Sequence, residues 1–171
     1  MGINLFKRLF VMRHAKSSWN HSGLTDHERP LNARGLRDTP RMAEFMDSQK
    51  TYPTLVLSSS AVRAKKTAEL IQATLETPPE WTVIKDFYLA PAHVYIQTLC
   101  RIPDEHSNTM IIGHNPGLED LVERLSGHHH RMPTAAIAVF DLRIESWAML
   151  ERTNEPFIFL GVWRPKEIHP T

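Results

Sequence analysis

Leu9-Phe10-Val11-Met12-Arg13-His14-Ala15-Lys16-Ser17-Ser18-Trp19 is the stretch on which the reading of this 171-residue chain turns. Four apolar residues stop at an Arg-His pair, and small and polar residues follow at once. A run that is apolar at every position reads as a strand buried on both faces, central and parallel in a sheet. The carboxyl end of such a strand is where an open α/β sheet presents reactive side chains. His14 is therefore the first candidate for chemistry.

Working outward, the same grammar recurs. Leu55-Val56-Leu57, bounded by Pro53 and Ser58-Ser59-Ser60, predicts a second buried strand, Trp81 to Ile84 a third, and Met110-Ile111-Ile112 a fourth that ends at Gly113-His114-Asn115-Pro116-Gly117. Helical spacing fills the intervals. A helix starts near the cap residue Asn32 and carries Met42, Phe45 and Met46 inward, with Gly35 and Pro40 predicting that it breaks or restarts. Ala64, Ala68, Ile71 and Leu75 define a long helix ended by Pro78-Pro79. His93 to Arg101 is a short helix, and Leu118, Leu121, Val122 and Leu125 mark another. Trp19 to Pro30 is a polar loop. Ala135 to Leu142, Trp147 to Leu150 and Phe157 to Trp163 read as late strands with no crossover helix between them, hence antiparallel additions at one edge. Strands alternating with helices predict a three-layer α/β/α sandwich around a mostly parallel sheet.

The composition bounds the function. The length fits one domain, residues 1–171. The chain has 20 Lys and Arg against 19 Asp and Glu, a formal charge of +1, which argues against a nucleic-acid or membrane-surface binder. Anion recognition must come from a few placed cations. The single Cys100, set among the apolar Leu99 and Ile102, reads as core and fits a reducing compartment, by default the cytoplasm. Met1 to Arg8 lacks the apolar run of a signal peptide, and no stretch approaches the roughly 18 apolar residues of a membrane span. His128-His129-His130 reads as a solvated loop and not a zinc site, since three adjacent side chains cannot all face one ion without distortion. Trp19, Trp81, Trp147 and Trp163 are dispersed and read as packing residues.

Three strand tips thus bring Arg13 and His14, Arg63, and His114 to one end of the sheet. Each alone has an ordinary reading: a solvated pair, a helix-capping serine triplet with a surface arginine, a turn rich in Gly, Asn and Pro. Their coincidence suits phosphoryl transfer, which needs donors on the equatorial oxygens and a nucleophile in line with the leaving group. Arginines match phosphate and stay charged. A neutral imidazole attacks phosphorus, and Arg13 and Arg63 would hold the His14 pKa down. His114 supplies a further donor in the right tautomer, with Asn115 and Ser17 as additional substrate contacts.

Arg13-His14-Ala15-Lys16-Ser17-Ser18-Trp19, Arg29-Pro30-Leu31-Asn32-Ala33-Arg34-Gly35, Ser58 to Thr67 with Arg63, and Gly113-His114-Asn115-Pro116 together resemble the ordered motifs of the histidine phosphatase superfamily, in its small SixA-like phosphohistidine phosphatase branch. The resemblance runs from about Leu9 to Trp163. It implies a phosphoglycerate mutase-like fold and a hydrolase of the phosphatase class. It also implies a phosphorylated His14, a pocket of Arg13, Arg63 and His114, and no metal or organic cofactor. Ala15 stands where the superfamily commonly has Gly. After the third strand, where other branches place a general acid, only Asp86 is acidic; Asp26 and Glu28 are the alternatives, with solvation or pairing to Arg29 as their ordinary reading. A missing acid matters because an alkoxide leaving group needs a proton, worth about 10²- to 10⁴-fold, whereas imidazole departs more readily. The expected substrate is therefore a phosphohistidine on a protein, for instance a histidine-phosphotransfer domain, reached through an uncapped pocket. The alternatives are a small-molecule phosphomonoesterase using one of those three acids, and a non-catalytic phosphate- or phosphoprotein-binding module.

Overall fold

The computed structural model describes residues 6–153 and 157–168; the reading of the first five residues as free of a signal sequence lies outside them. Six strands and four helices alternate as β1 (Lys7–Arg13), α1 (Ala33–Ser48), β2 (Leu55–Ser59), α2 (Val62–Thr74), β3 (Glu80–Ile84), α3 (Ala92–Leu99), β4 (Asn108–Gly113), α4 (Gly117–Ser126), β5 (Ile137–Leu142) and β6 (Phe157–Trp163). The strands form one sheet in the order β3-β2-β4-β1-β5-β6. Neighbours from β3 to β1 are parallel, whereas β5 runs antiparallel to β1 and β6 antiparallel to β5. The expected α/β sandwich with antiparallel additions is present. β1 is central but is the seam between the two kinds of pairing, not a strand with parallel neighbours on both sides.

Strand alternation sorts the core into two layers. Leu9 and Val11 join Leu57, Ile111 and Phe140 in a cluster covered by Tyr95 and Leu99 of α3 and Leu121 and Leu125 of α4. Phe10 and Met12 face the opposite way, against Met42 and Met46 of α1, Ala68 and Ile71 of α2, and Met110. Burial of each large side chain stabilises by about 1.5–3 kcal/mol relative to exposure, and both faces of β1 contribute. Among the described residues no helix is long and apolar enough to cross a membrane.

Two elements differ from the sequence reading. α1 runs unbroken through Pro40. Asn32 caps it by accepting the Gly35 N–H at 3.0 Å, and Leu36, whose carbonyl loses its partner at Pro40, lies on the exposed side of the helix, where the loss is cheapest. Gly35 serves approach instead of breakage, since a Cβ there would collide with the Lys16 backbone. Trp147 to Leu150 is no strand; Trp147–Met149 forms a 3₁₀ turn that Ser146 opens by accepting the Ala148 N–H. The Trp147 ring is fully buried, and its Nε1–H donates to the His106 carbonyl at 2.8 Å, so an inward anchor looked like a strand residue.

Gly113, the last residue of β4, has the Tyr95 hydroxyl where a Cβ would sit, and that hydroxyl accepts the His114 N–H at 3.3 Å. Gly113→Ala must push Tyr95 away and tilt His114. A destabilisation of about 1–3 kcal/mol is expected, read as a lower urea midpoint at constant m; an unchanged midpoint would show that this contact is loose.

Candidate active site

Because β1, β4 and β2 are adjacent and parallel, the residues that leave their carboxyl ends meet. The His14 N–H donates to the Gly113 carbonyl at 3.1 Å, holding the β1 exit against that of β4. The Ala15 N–H donates to Thr67 Oγ1 at 3.0 Å, and the same hydroxyl donates to the Arg63 carbonyl at 2.7 Å, so one threonine of α2 pins both the β1 exit and the first turn that carries Arg63.

His14 is buried. Its Nδ1 lies 2.8 Å from the Ala15 carbonyl, an acceptor, so Nδ1 carries the proton. Nε2 then holds a lone pair, and Arg63 Nε–H points at it from 3.2 Å. Burial is the main cause that lowers the His14 pKa to about 3; His114, Arg63 and Arg13 depress it further, against the opposing bond to Ala15. The arginines expected to do this are present, but desolvation leads.

His114 packs its ring 5.1 Å from that of His14. Its Nε2 lies 2.7 Å from Ser59 Oγ and its Nδ1 3.4 Å from Arg63 Nη2. Arginine only donates, so Nδ1 is an acceptor and Nε2 gives its proton to Ser59. The His114 pKa also falls to about 3, through burial first and then Arg63, with Asp26 opposing. Arg63, only 2 % exposed, is the hub: beyond these contacts its Nη1 donates to the Asp26 carbonyl and its Nη2 to Asp26 Oδ2 at 3.0 Å.

Arg13 stands slightly apart. Strand alternation sends it to the opposite side from His14, where Nη1 donates to the Met132 carbonyl at 3.1 Å and the buried Nε has no partner among the described residues. Its charge nevertheless acts on both histidines. Burial lowers its own pKa, with Glu119 opposing and Arg63 adding to the effect.

Among the other sequence candidates, Asp26 reaches the cluster and the rest do not. Its carboxylate accepts from Arg63, from Arg29 at 3.0 Å and from the Tyr88 hydroxyl at 2.7 Å. Burial raises its pKa, but the bonds from Tyr88, Arg63 and Arg29 outweigh this and hold it at about 2. Glu28 is exposed and closes a capping box on Thr25. Asp86 is exposed on the 3₁₀ turn Lys85–Phe87, with no contact among the described residues that joins it to His14. Ser17 accepts from Arg29 Nη1 at 2.8 Å, and the Asn115 amide donates to Met132 at 3.0 Å, so both are engaged with the protein.

Tyr88 and Ser59 were not singled out from sequence. Tyr88 stands edge-on to His114, ring centroids 5.5 Å apart, where the acid after β3 was sought. Its signal was position alone. Ser59 lay within the triplet read as a possible helix cap, but Ala61 is the N-cap of α2 and Ser59 serves His114. Trp19 is 73 % exposed and not packed; the Arg29 guanidinium covers its ring at 3.5 Å. His129 lies 3.4 Å from Glu123 while His130 stacks on Phe159, and among the described residues no group of three His, Cys, Asp or Glu is placed to hold a metal.

Residues 9–86 match the Histidine phosphatase superfamily (branch 1). An uncharacterised chloroplastic protein of Arabidopsis thaliana is 33 % identical over 84 % of this chain and 70 % of its own length. Phosphohistidine phosphatase SixA of Escherichia coli is 30 % identical over 69 % of this chain and 73 % of its own. The crystal structure of a protein described as a SixA phosphohistidine phosphatase from Agrobacterium tumefaciens superposes with a TM-score of 0.79 at 25 % identity, covering 93 % of this chain and 98 % of that one. With its sheet order, its converging strand tips and these relatives, the chain belongs to the histidine phosphatase superfamily, in the SixA-like branch.

Proposed function

We propose that the chain, as one histidine-phosphatase domain, hydrolyses phosphohistidine on a protein through a phosphoryl group carried by Nε2 of His14. The observation that carries this reading is the geometry at that ring: Nδ1 lies 2.8 Å from the Ala15 carbonyl, which holds the proton there, Nε2 faces Arg63 Nε at 3.2 Å, and burial keeps the imidazole neutral. A phosphoryl group arriving there meets Arg63, with Arg13 adding positive potential. The Nε2 lone pair forms a bond to phosphorus while the P–N bond of the substrate breaks and its electron pair returns to the departing imidazole. Water then attacks phosphorus, the bond to His14 breaks, and phosphate leaves with the water's oxygen. The incoming dianion raises the proton affinity of His114, whose Nδ1 takes up a proton from solvent on binding and turns from acceptor to donor.

The acid side of the site favours this substrate over an alkyl phosphate. Asp26 is the candidate acid that reaches the cluster, through Arg63, and with three residues donating to it and a pKa of about 2 it has no proton to give at neutral pH. A phosphohistidine whose ring carries a proton on its other nitrogen needs none from the site, since it departs as neutral imidazole and one P–N bond is exchanged for another. A histidine-phosphotransfer domain is the partner class that the SixA-like resemblance favours. The unpaired Cys100 suits a reducing compartment such as the cytoplasm.

Alkaline quenching preserves phosphohistidine, so rapid mixing with a ³²P-labelled phosphohistidine protein is expected to label the wild type and leave His14→Ala unlabelled. In the same sample p-nitrophenyl phosphate and an alkyl phosphate should turn over far more slowly; equal rates on the alkyl ester would argue for a phosphomonoesterase, and turnover without label would exclude a phospho-His14 intermediate.

Asp26 and a bound phosphate compete for Arg63. Asp26→Asn is expected to tighten inorganic phosphate binding about threefold to tenfold by calorimetry, a modest gain because the carboxylate is partly exposed. Weaker binding would mean that Asp26 acts mainly by holding the guanidinium in place.

The histidines also tie stability to pH. Their folded-state pKa values of about 3 lie below the ordinary 6.5, so the unfolded chain binds more protons at mildly acid pH. Stability present above about pH 6.5 is lost as pH falls toward about 3. The melting temperature should therefore drop between about pH 7 and pH 4.5, and His14→Asn should flatten that slope; an identical slope would place the proton uptake elsewhere.

A further inference from the structure

Arg13 is shared between the His14 cluster and a separate cleft of about 610 Å³. Among the described residues its cationic lining is Arg13, Lys16, Arg34, Arg131, Arg164 and Lys166, with Glu119 and Glu167 opposing. Both acids are already engaged, Glu119 by the Met132 N–H at 2.8 Å and Glu167 by Arg164 at 3.3 Å. Lys16, Arg131 and Lys166 have no ion pair among the described residues. Arg34 and Lys166 also line a second depression of about 480 Å³, which Arg37 and Arg41 extend along α1 around the single buried carboxylate of Asp38. In a chain whose formal charge is only +1, eight of the 20 Lys and Arg thus lie on one continuous track that starts at Arg13, the residue before His14 in sequence.

We infer that this track is a docking site for an acidic polypeptide, so that the protein acts on phosphohistidines flanked by Asp and Glu. The inference rests on the proposed protein substrate and names its chemistry. Extent decides between ligand classes: Arg34 to Arg41 alone spans about 10 Å at 1.5 Å per residue, and the 610 Å³ cleft lies beyond it toward Arg13, more than a small phosphorylated molecule held at His14 would reach. A single-stranded nucleic acid would want aromatic faces for its bases, and among the described residues neither depression is lined by an aromatic one. Carboxylates need only placed cations. Charges at the rim of a contact chiefly speed encounter and weaken with salt.

Two fluorescent peptides of equal length, each with one central histidine flanked by Glu in one and by Gln in the other, serve as probes, unphosphorylated for binding and phosphorylated on histidine for turnover. By anisotropy the Glu peptide is expected to bind the wild type about tenfold more tightly than the Gln peptide, a difference that vanishes in Arg131→Glu/Lys166→Glu and at about 1 M salt, where the Debye length is about 3 Å. For turnover, kcat/KM should favour the Glu peptide by a similar factor in the wild type only, with KM carrying the change. Equal binding of the two peptides by the wild type, or a preference that survives the double charge reversal, overturns the docking site. Preferential binding of the Glu peptide without turnover of either leaves the docking site standing and overturns the phosphohistidine reading instead, so the two failures are distinct. A short duplex DNA that competes with the Glu peptide at equal charge would assign the track to nucleic acid and overturn the acidic-polypeptide occupant.

Discussion

The buried guanidinium of Arg63 is the constraint around which the site is arranged. A charge taken out of water costs several kcal/mol unless its donors are satisfied and its field is opposed. Arg63 meets both demands within one network: Nε on His14, Nη1 on the Asp26 carbonyl, Nη2 shared between Asp26 and His114. Each bond in turn dictates something about its partner. His14 and His114 must present lone pairs, so both are neutral with fixed tautomers. Asp26 must be ionised, so the polar loop after β1 folds back over the pocket instead of extending into solvent. Tyr88 completes the arrangement by donating to Asp26 and standing edge-on to His114, which ties the segment after β3 to the tips of β1 and β4.

How much of this could be read beforehand follows from where the determining forces are local. The buried strands were legible because an apolar run such as Phe10 to Met12 has few other uses, and the helices because Ala64, Ala68 and Ile71 recur at a period no strand would keep. The strand tips followed from the fold class. Trp147 was misread because a large apolar residue looks alike whether it lies in a strand or plugs a core from a turn. Pro40 was misread because the cost of proline inside a helix depends on which side of the helix loses its bond. The site divides along the same line. His14 and His114 follow strand ends and Arg63 sits in the first turn of the helix after β2, whereas the partnership of Asp26 with Arg63 spans 37 residues and that with Tyr88 spans 62, and no local pattern encodes either. Ser17 illustrates the converse: next to the nucleophile in sequence, it spends its hydroxyl on Arg29.

In the proposed reaction Arg63 would also bear on the second half, where the demands on His14 reverse. As a nucleophile the imidazole benefits from a free lone pair; as a leaving group from phosphorus it must take that pair back. Surroundings that lower its pKa reduce nucleophilicity somewhat and favour departure, because they stabilise the neutral ring relative to a cationic one. The Arg63 Nε–H that faces Nε2 at 3.2 Å is placed to meet the pair as it returns. A carboxylic acid at that position would be needed if the first leaving group were an alkoxide, but between two imidazoles the energetics of the two half-reactions are similar, and one fixed donor suits both. The absence of a proton on Asp26 is then no defect of the site. Its negative charge pairs with Arg63 in the resting protein, and under the proposed reaction it would yield to the phosphoryl group, whose oxygens would make the same kind of bond to the same guanidinium.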